Sequence, residues 1–433
     1  MYKGAVMKII EGGVCAPKGF SVSSCAAGIK YENHPDMAMI FSETPCDYAG
    51  TFTSNVVKAA PVKFDMALLE KEAKISAVIV NTGKANASCG EEGMRICAET
   101  SKKAVSALSI QEDSVLVAST GVIGQNIDTE KIKAGIDMMK DTLERSTEAA
   151  NRAAHAILTT DTHEKQVALS FEIDGKEVTI GAMTKGSGMI HPNMCTMLSF
   201  ITTDIDMERS LLQKALLTCV KKSFNMISVD GDTSTNDSCI LLSNGLSENK
   251  KIMSEDEEGY KIFLSALSVV TKFLAMSMAQ DGEGATKLME CRVVNARSYD
   301  DAVTLSKSVI RSDLTKAAVF GNDANWGRIM CAMGYSGVSF DPDHTDIYIL
   351  PGAGPEAELQ SEAEGRPYDY PLPGYPLARD GVAADFSEEK ATEILSGKHV
   401  IIVCDMKAGK EEARAFGCDL TYDYVKINGD YRS

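Results

Sequence analysis

Lys185–Phe200 reads KGSGMIHPNMCTMLSF and changes character halfway. Its first half is Gly, Ser, Pro and Asn, the composition of a tight, irregular turn. From Thr196 the run TMLSFITTD has the β-branched and aromatic content of a buried strand. A strained loop thus feeds straight into a strand that opens on a threonine.

Both flanks of this stretch alternate strands and helices. VALSFEIDGKEVTIGAMT is two β-branched runs joined at Asp174 and Gly175, a hairpin signal that delivers the chain into the loop. Upstream, apolar residues at helical spacing predict a helix from about Asp128 to Leu158. The first quarter carries AAGIK, MAMIFSE, SAVIVNTGKANASCG and SVLVASTGVIG, which predict strands ending in glycine-rich loops. Two of those loops, Asn81–Gly90 and Ser119–Gly124, have the composition to surround a ligand.

Downstream, a helix is predicted over Met207–Phe224, a loop over Ser228–Asn236, and a helix in the methionine-rich KIFLSALSVVTKFLAMSMAQ. Six of the twelve prolines fall between Pro351 and Pro376, which predicts a surface excursion rather than an ordered element. Order resumes with a helix near Ser387–Leu395, the strand HVIIVCD and a last strand, TYDYVKIN.

Composition narrows the function. A chain of 433 residues, 44% apolar and 24% charged, is expected to fold as one large or two packed domains. A net charge of -17 argues against nonspecific binding of nucleic acid or an anionic membrane. The absence of a secretion signal and of an apolar run near the roughly 20 residues that span a bilayer predicts a cytoplasmic location. Twelve cysteines without a CxxC pair and six histidines without HExxH predict reduced thiols and no metal site.

A threonine at a strand start is ordinarily β-branched filler, but the loop before Thr196 changes its meaning. A threonine hydroxyl is a poor nucleophile until a base takes its proton, and an N-terminal threonine can use its own amine, of pKa near 8. An internal threonine reaches that state only if the chain is cut before it. Strain stored in Gly186–Asn193 would lower the barrier to attack by the hydroxyl on the preceding carbonyl.

KGSGMIHPNMCTMLSFITTD closely resembles the self-cleavage segment of the ornithine acetyltransferase family, the glutamate N-acetyltransferases of arginine biosynthesis. The likeness covers nearly the whole chain. It continues in GGVCAPKGF at Gly12, NTGKANASCG at Asn81, STGVIG at Ser119, LTTDT at Leu158 and DGDTSTNDS at Asp230. It ends in DGEGATK at Asp281, FGNDANWGRI at Phe320 and CDLTYDYVKINGDYRS at the C-terminus, with only Pro351–Pro376 unmatched.

The resemblance implies an α+β fold in which two β-sheets form a layered sandwich covered by helices. It implies cleavage between Cys195 and Thr196, giving subunits of residues 1–195 and 196–433. Thr196 would be the self-cleaving and acyl-accepting nucleophile, with Thr120 and Gly121 as oxyanion hole. Thr159, Lys185, Thr196, Glu283, Asn428 and Ser433 match substrate contacts. Lys185 suits a substrate carboxylate and Glu283 the ornithine side-chain amine.

Three positions depart from the pattern: Cys195 stands where the family usually has alanine, Ser433 replaces a terminal threonine, and Lys84 replaces an asparagine. Cys195 has no adjacent histidine to make it a thiolate, and His191 is expected to shape the loop rather than act as a base.

The implied reaction moves acetyl from N2-acetylornithine to glutamate through an acetyl-threonine ester, with ping-pong kinetics and no cofactor. Acetyl-CoA stays open as a second donor. The implied assembly is a dimer of the cleaved heterodimer. Two other readings share these residues: an N-terminal-nucleophile aminopeptidase or amidase that passes the acyl group to water, and an uncut, non-catalytic binding protein.

Overall fold

The computed structural model describes residues 6–30, 32–191 and 197–429 as an α+β fold of two mixed sheets with helices packed around them. Cys195, Thr196 and Ser433 lie outside the described residues. The strands begin with β1 (Lys8–Ile10), β2 (Phe20–Cys25), β3 (Met37–Phe52), β4 (Ile75–Asn81), β5 (Val115–Ser119), β6 (Lys165–Ile173), β7 (Lys176–Lys185) and β8 (Leu198–Thr203). They continue with β9 (Ile227–Ser228), β10 (Ser238–Ser243), β11 (Leu288–Ala296), β12 (Asp346–Pro351), β13 (Tyr375–Arg379), β14 (Val382–Ala383), β15 (His399–Asp405) and β16 (Glu411–Cys418). The first sheet runs β1-β6-β7-β8-β10-β3-β4-β5, with β2 also on β3, and the second runs β14-β13-β12-β15-β11-β16-β9.

Between them lies the helix Glu258–Gln280, packed on β6 and β7 of one sheet and on β11 and β16 of the other. Phe263, Leu267, Val270, Leu274 and Met278 along it are all fully buried. Each such side chain contributes roughly 1.5–3 kcal/mol of apolar burial, so this helix joins the two sheets. Among the described residues it is also the one helix long and apolar enough to cross a membrane, but 72% of its apolar window is buried inside the fold.

The hairpin forms where expected. Ile173 pairs with Lys176, and Asp174 and Gly175 between them have φ of 52° and 75°. Two positive φ values are what the two-residue turn needs to match the right-handed twist of the strands. From there β7 runs to Lys185 and β8 returns antiparallel, with Lys185 opposite Leu198. β8 is buried throughout and pairs with β10 on its other side, so strands from both sides of position 195 lie in one sheet.

Four expectations are corrected. The helix read over Asp128–Leu158 is two, Thr129–Lys140 and Thr147–Ala156, each with its own capping side chain, Asp128 and Ser146. The Pro351–Pro376 region contains the helix Pro355–Ala363, in which Leu359 and Ala363 pack on the long central helix. Pro355 opens that helix, a position where its missing N–H costs nothing. TYDYVKIN is a helix, Tyr422–Asn428, capped by the Thr421 side chain. AAGIK is the loop after β2.

Candidate active site

β4 and β5 pair in parallel, so the loops after Asn81 and Ser119 emerge side by side at their carboxyl ends. The loops are tied together by Val122 N–H to the Gly83 carbonyl (3.2 Å) and Ala85 N–H to the Val122 carbonyl (3.0 Å). The Thr120 N–H donates to the Asn81 carbonyl (3.0 Å), so the donor that Thr120 can offer a ligand is its hydroxyl. Gly121 has φ +126°, and a Cβ there would run into the Gly83 carbonyl and lie 2.7 Å from the Lys84 nitrogen. Only glycine fits this crossing, which is why the turn reads Thr-Gly.

Thr120 and Gly121 line a cavity of about 110 Å³. That is far below the roughly 300 Å³ at which drug-sized pockets begin, and it suits an amino acid. Thr159, Lys185, Glu283 and Asn428 line the same cavity, as do Met197 and Leu198, the first two residues after Thr196. Ser238 N–H holds the Met197 carbonyl at 2.9 Å, which fixes the start of the returning strand. Of the residues expected to form the site, every described one therefore reaches this cavity.

Lys185 is only 7% exposed, and its ammonium donates to the Thr159 hydroxyl (2.7 Å) with Asp161 Oδ2 3.6 Å away. Asp161 accepts from Lys165 Nζ (2.8 Å) and from the Gly186 N–H (2.6 Å), and Lys165 also donates to Asp281 (2.5 Å). Burial alone would raise the Asp161 carboxyl, but the Lys185 and Lys165 ammoniums outweigh it and hold it well below the usual carboxylate range. Asp161, Lys165 and Asp281 escaped the sequence reading, although LTTDT and DGEGATK contain both carboxylates.

Asp281 and Glu283 come from the end of the long central helix. Glu283 N–H donates to the Ser187 carbonyl (3.0 Å), and a Cβ at Gly188 would overlap the Glu283 carboxyl. Asn428, on the last helix, donates to Glu283 Oε2 at 2.6 Å. A fourth missed residue, Asn236, donates its amide hydrogens to the carbonyls of Ala85 (2.5 Å) and Ser119 (2.8 Å), stapling both glycine loops to the loop before β10. Ser119 stands directly before the Thr-Gly pair, so Asn236 holds its backbone in place.

His191 contacts Ser228 Oγ (3.1 Å), and burial, reinforced by Lys307 and Arg311, lowers its pKa to about 3. Such an imidazole is too weak a base for general-base work near neutrality. Lys84 reaches the Asn126 carbonyl (3.0 Å) and does not line the cavity. A second hollow of about 520 Å³ shares Gly121, Thr159 and Thr160 with the first, and its wall also includes Lys30, His34 and Leu158.

The model of the ArgJ family matches residues 21–433. The arginine biosynthesis bifunctional protein ArgJ of Caldanaerobacter subterraneus subsp. tengcongensis is 45% identical over 427 residues, covering 99% of this chain and 100% of the relative. ArgJ 1 of Clostridium acetobutylicum is 48% identical over 414 residues, covering 96% of each. The crystal structure of an ornithine acetyltransferase complexed with ornithine, from Mycobacterium tuberculosis, is 37% identical, covers 44% of this chain and all of its own, and superposes with a TM-score of 0.41. Matched along almost its whole length, the chain belongs to the ArgJ family.

Proposed function

We propose that this chain is the acyltransferase of arginine biosynthesis that carries acetyl from N2-acetylornithine to glutamate. The observation that carries the reading is the convergence of Thr120, Gly121, Lys185, Glu283 and Asn428 on one amino-acid-sized cavity beside Met197. Family membership supports the same activity over a hydrolase or a binding protein.

Maturation comes first. The Thr196 hydroxyl attacks the Cys195 carbonyl, forming a C–O bond as the C–N bond breaks, and its proton passes to the freed amine. Water then hydrolyses the ester, leaving Cys195 as a carboxylate and Thr196 with a free hydroxyl and α-amine. In turnover that amine takes the hydroxyl proton while Thr196 attacks the acetyl carbonyl. The Thr120 hydroxyl and Gly121 N–H stabilise the oxyanion as ornithine leaves, and glutamate then takes the acetyl group from the ester. Lys185 meets the substrate carboxylate, while Glu283 with Asn428 receives the ornithine side chain. Ser433 adds a C-terminal contact. The products 1–195 and 196–433 stay together because β7 and β8 are hydrogen-bonded neighbours, and two such pairs associate.

No organic cofactor or metal enters these steps. Acetyl-CoA is the second donor in this reading, since a thioester can load the same threonine, and the 520 Å³ hollow that shares Gly121 with the cavity gives its bulk a place to lie. Filling that hollow with Leu158→Trp should abolish glutamate acetylation from acetyl-CoA and spare transfer from acetylornithine; equal loss of both would remove the hollow from the scheme.

The decisive experiment is intact mass of freshly purified protein beside Thr196→Ala, followed by assay of ornithine release with and without glutamate. Two fragments in the wild type, one chain in the variant and glutamate-dependent release support the transferase. Release at equal rate without glutamate would make the enzyme a hydrolase.

A further inference from the structure

The segment Gly186–His191, which leads toward the cleavage bond, is fastened at both ends. Asp161 holds the Gly186 N–H at its start. At its far end one carboxylate, Asp230, accepts two successive N–H groups, those of Met189 (2.6 Å) and Ile190 (2.9 Å). The Ile190 carbonyl accepts the Val229 N–H (2.7 Å), and the His191 carbonyl accepts the Thr233 hydroxyl (2.9 Å).

Between these fasteners Met189 has φ +53°, in the left-handed region that residues with a side chain avoid. Two adjacent N–H groups converging on one anion is the arrangement such a left-handed residue creates. The carboxylate and the backbone strain therefore belong to one device. Met189 is also 43% exposed, so apolar packing does little to hold it.

We propose that Asp230 is a positioning residue for self-cleavage: by binding the Met189 and Ile190 N–H groups it keeps Met189 left-handed and so directs the chain that enters the Cys195–Thr196 bond. The proposal rests on the reading of Thr196 as the self-cleaving nucleophile. Asp230 acts through Met189, not on the reacting atoms.

The test compares the cleavage rate of the full chain, followed by intact mass after purification, in wild type, Asp230→Asn, Met189→Gly and the double variant. Asp230→Asn loses one charged acceptor and should cleave on the order of ten-fold more slowly, the rate equivalent of strain at one such residue. Adding Met189→Gly should restore most of the rate, because glycine takes a positive φ without help. A generic loss of stability would not be rescued this way. Should Asp230→Asn fail to fold, Met189→Val keeps the carboxylate but resists positive φ, and it should cleave slowly for the same reason.

A folded Asp230→Asn chain that cleaves at the wild-type rate overturns the proposal. So does one that Met189→Gly cannot rescue, or a Met189→Val chain that matches wild type. A wild-type chain that never cleaves has a different meaning, because it removes the reading of Thr196 itself.

Discussion

Two buried charge clusters in this molecule use the same materials for different ends. One lies at the cavity wall, where Asp161 and Asp281 face Lys165 and Lys185. The other lies against the second sheet. There Arg414 binds Glu290 (2.6 Å) and Glu358 (2.8 Å), Arg292 binds Glu290 (2.5 Å), and Lys272 binds Glu358 (2.8 Å) and Glu362. The second cluster is closed in charge: three carboxylates meet three cations, Tyr370 donates its hydroxyl to Glu358 (2.8 Å), and the Arg292 guanidinium, whose Nη2 has no hydrogen-bond partner among the described residues, covers the Tyr370 ring at 4.3 Å. It ties β11 and β16 to the helices Glu258–Gln280 and Pro355–Ala363, so its work is to hold elements together.

The cavity cluster is open at one point. Lys185 makes its short bond to a neutral hydroxyl and only a long contact to its carboxylate, while its ammonium borders the cavity. A cation held this loosely can turn to an incoming carboxylate at little cost. None of the residues of the closed cluster lines either of the two hollows around Gly121, the difference expected between a network that only holds elements together and one that borders a site.

Breaking the closed cluster should have the largest effect, and only on stability. Glu290→Gln leaves two arginines without their shared charge, an error that costs about 3–5 kcal/mol in buried pairs. Urea unfolding should show that loss, with kcat/KM of the remaining folded enzyme unchanged; a matching fall in kcat/KM would end the distinction between the clusters. Asp161→Asn should do the reverse. Lys165 keeps Asp281, so the stability loss is nearer 1–3 kcal/mol, typical of one missing buried partner. Lys185 and Gly186 lose their anchor together, and kcat/KM should fall roughly 10²-fold, as displacements of about 1 Å in positioning groups do.

The same contrast explains what the sequence disclosed. Thr120, Gly121, Lys185, Glu283 and Asn428 stood in distinctive motifs and line one cavity. Asp161, Asp230 and Asn236 stood in those motifs too, yet went unread, because apart from Lys165, four residues after Asp161, their partners are backbone groups and a lysine distant in sequence. No local pattern shows that Asn236 bonds Ser119, more than a hundred residues away. The fold was legible where burial imposes a period, as in the hairpin and the long central helix. It was misread where a cap decides: TYDYVKIN carries aromatic and β-branched residues like a strand, but none of Tyr422–Asn428 is buried and the segment is helical from its Thr421 cap. Pro355 likewise starts a helix rather than breaking one.

The smallest predicted effect is in acid, and it sharpens the comparison through its sign. Burial opposes ionisation of Glu290, but Arg414 and Arg292 outweigh it and hold the carboxyl well below its usual range, as the two lysines do for Asp161. Carboxyls lowered in the fold contribute stability above their unfolded values, about 4.3 for Glu and 3.9 for Asp, and lose it as pH falls toward the folded values. Asp230 is different: burial raises it despite the N–H groups of Asp232, Met189 and Ile190. Its contribution is therefore present below about pH 3.9 and lost as pH rises through its folded value. Urea midpoints measured from pH 7 to pH 3 should show the gap between wild type and Glu290→Gln, and the smaller gap for Asp161→Asn, steady to about pH 5 and closing below pH 4. For Asp230→Asn, wild type should gain on the variant as the pH falls. A Glu290→Gln gap that persists unchanged at pH 3 would mean that packing rather than charge holds the closed cluster, and the likeness between the two clusters would then be one of composition alone.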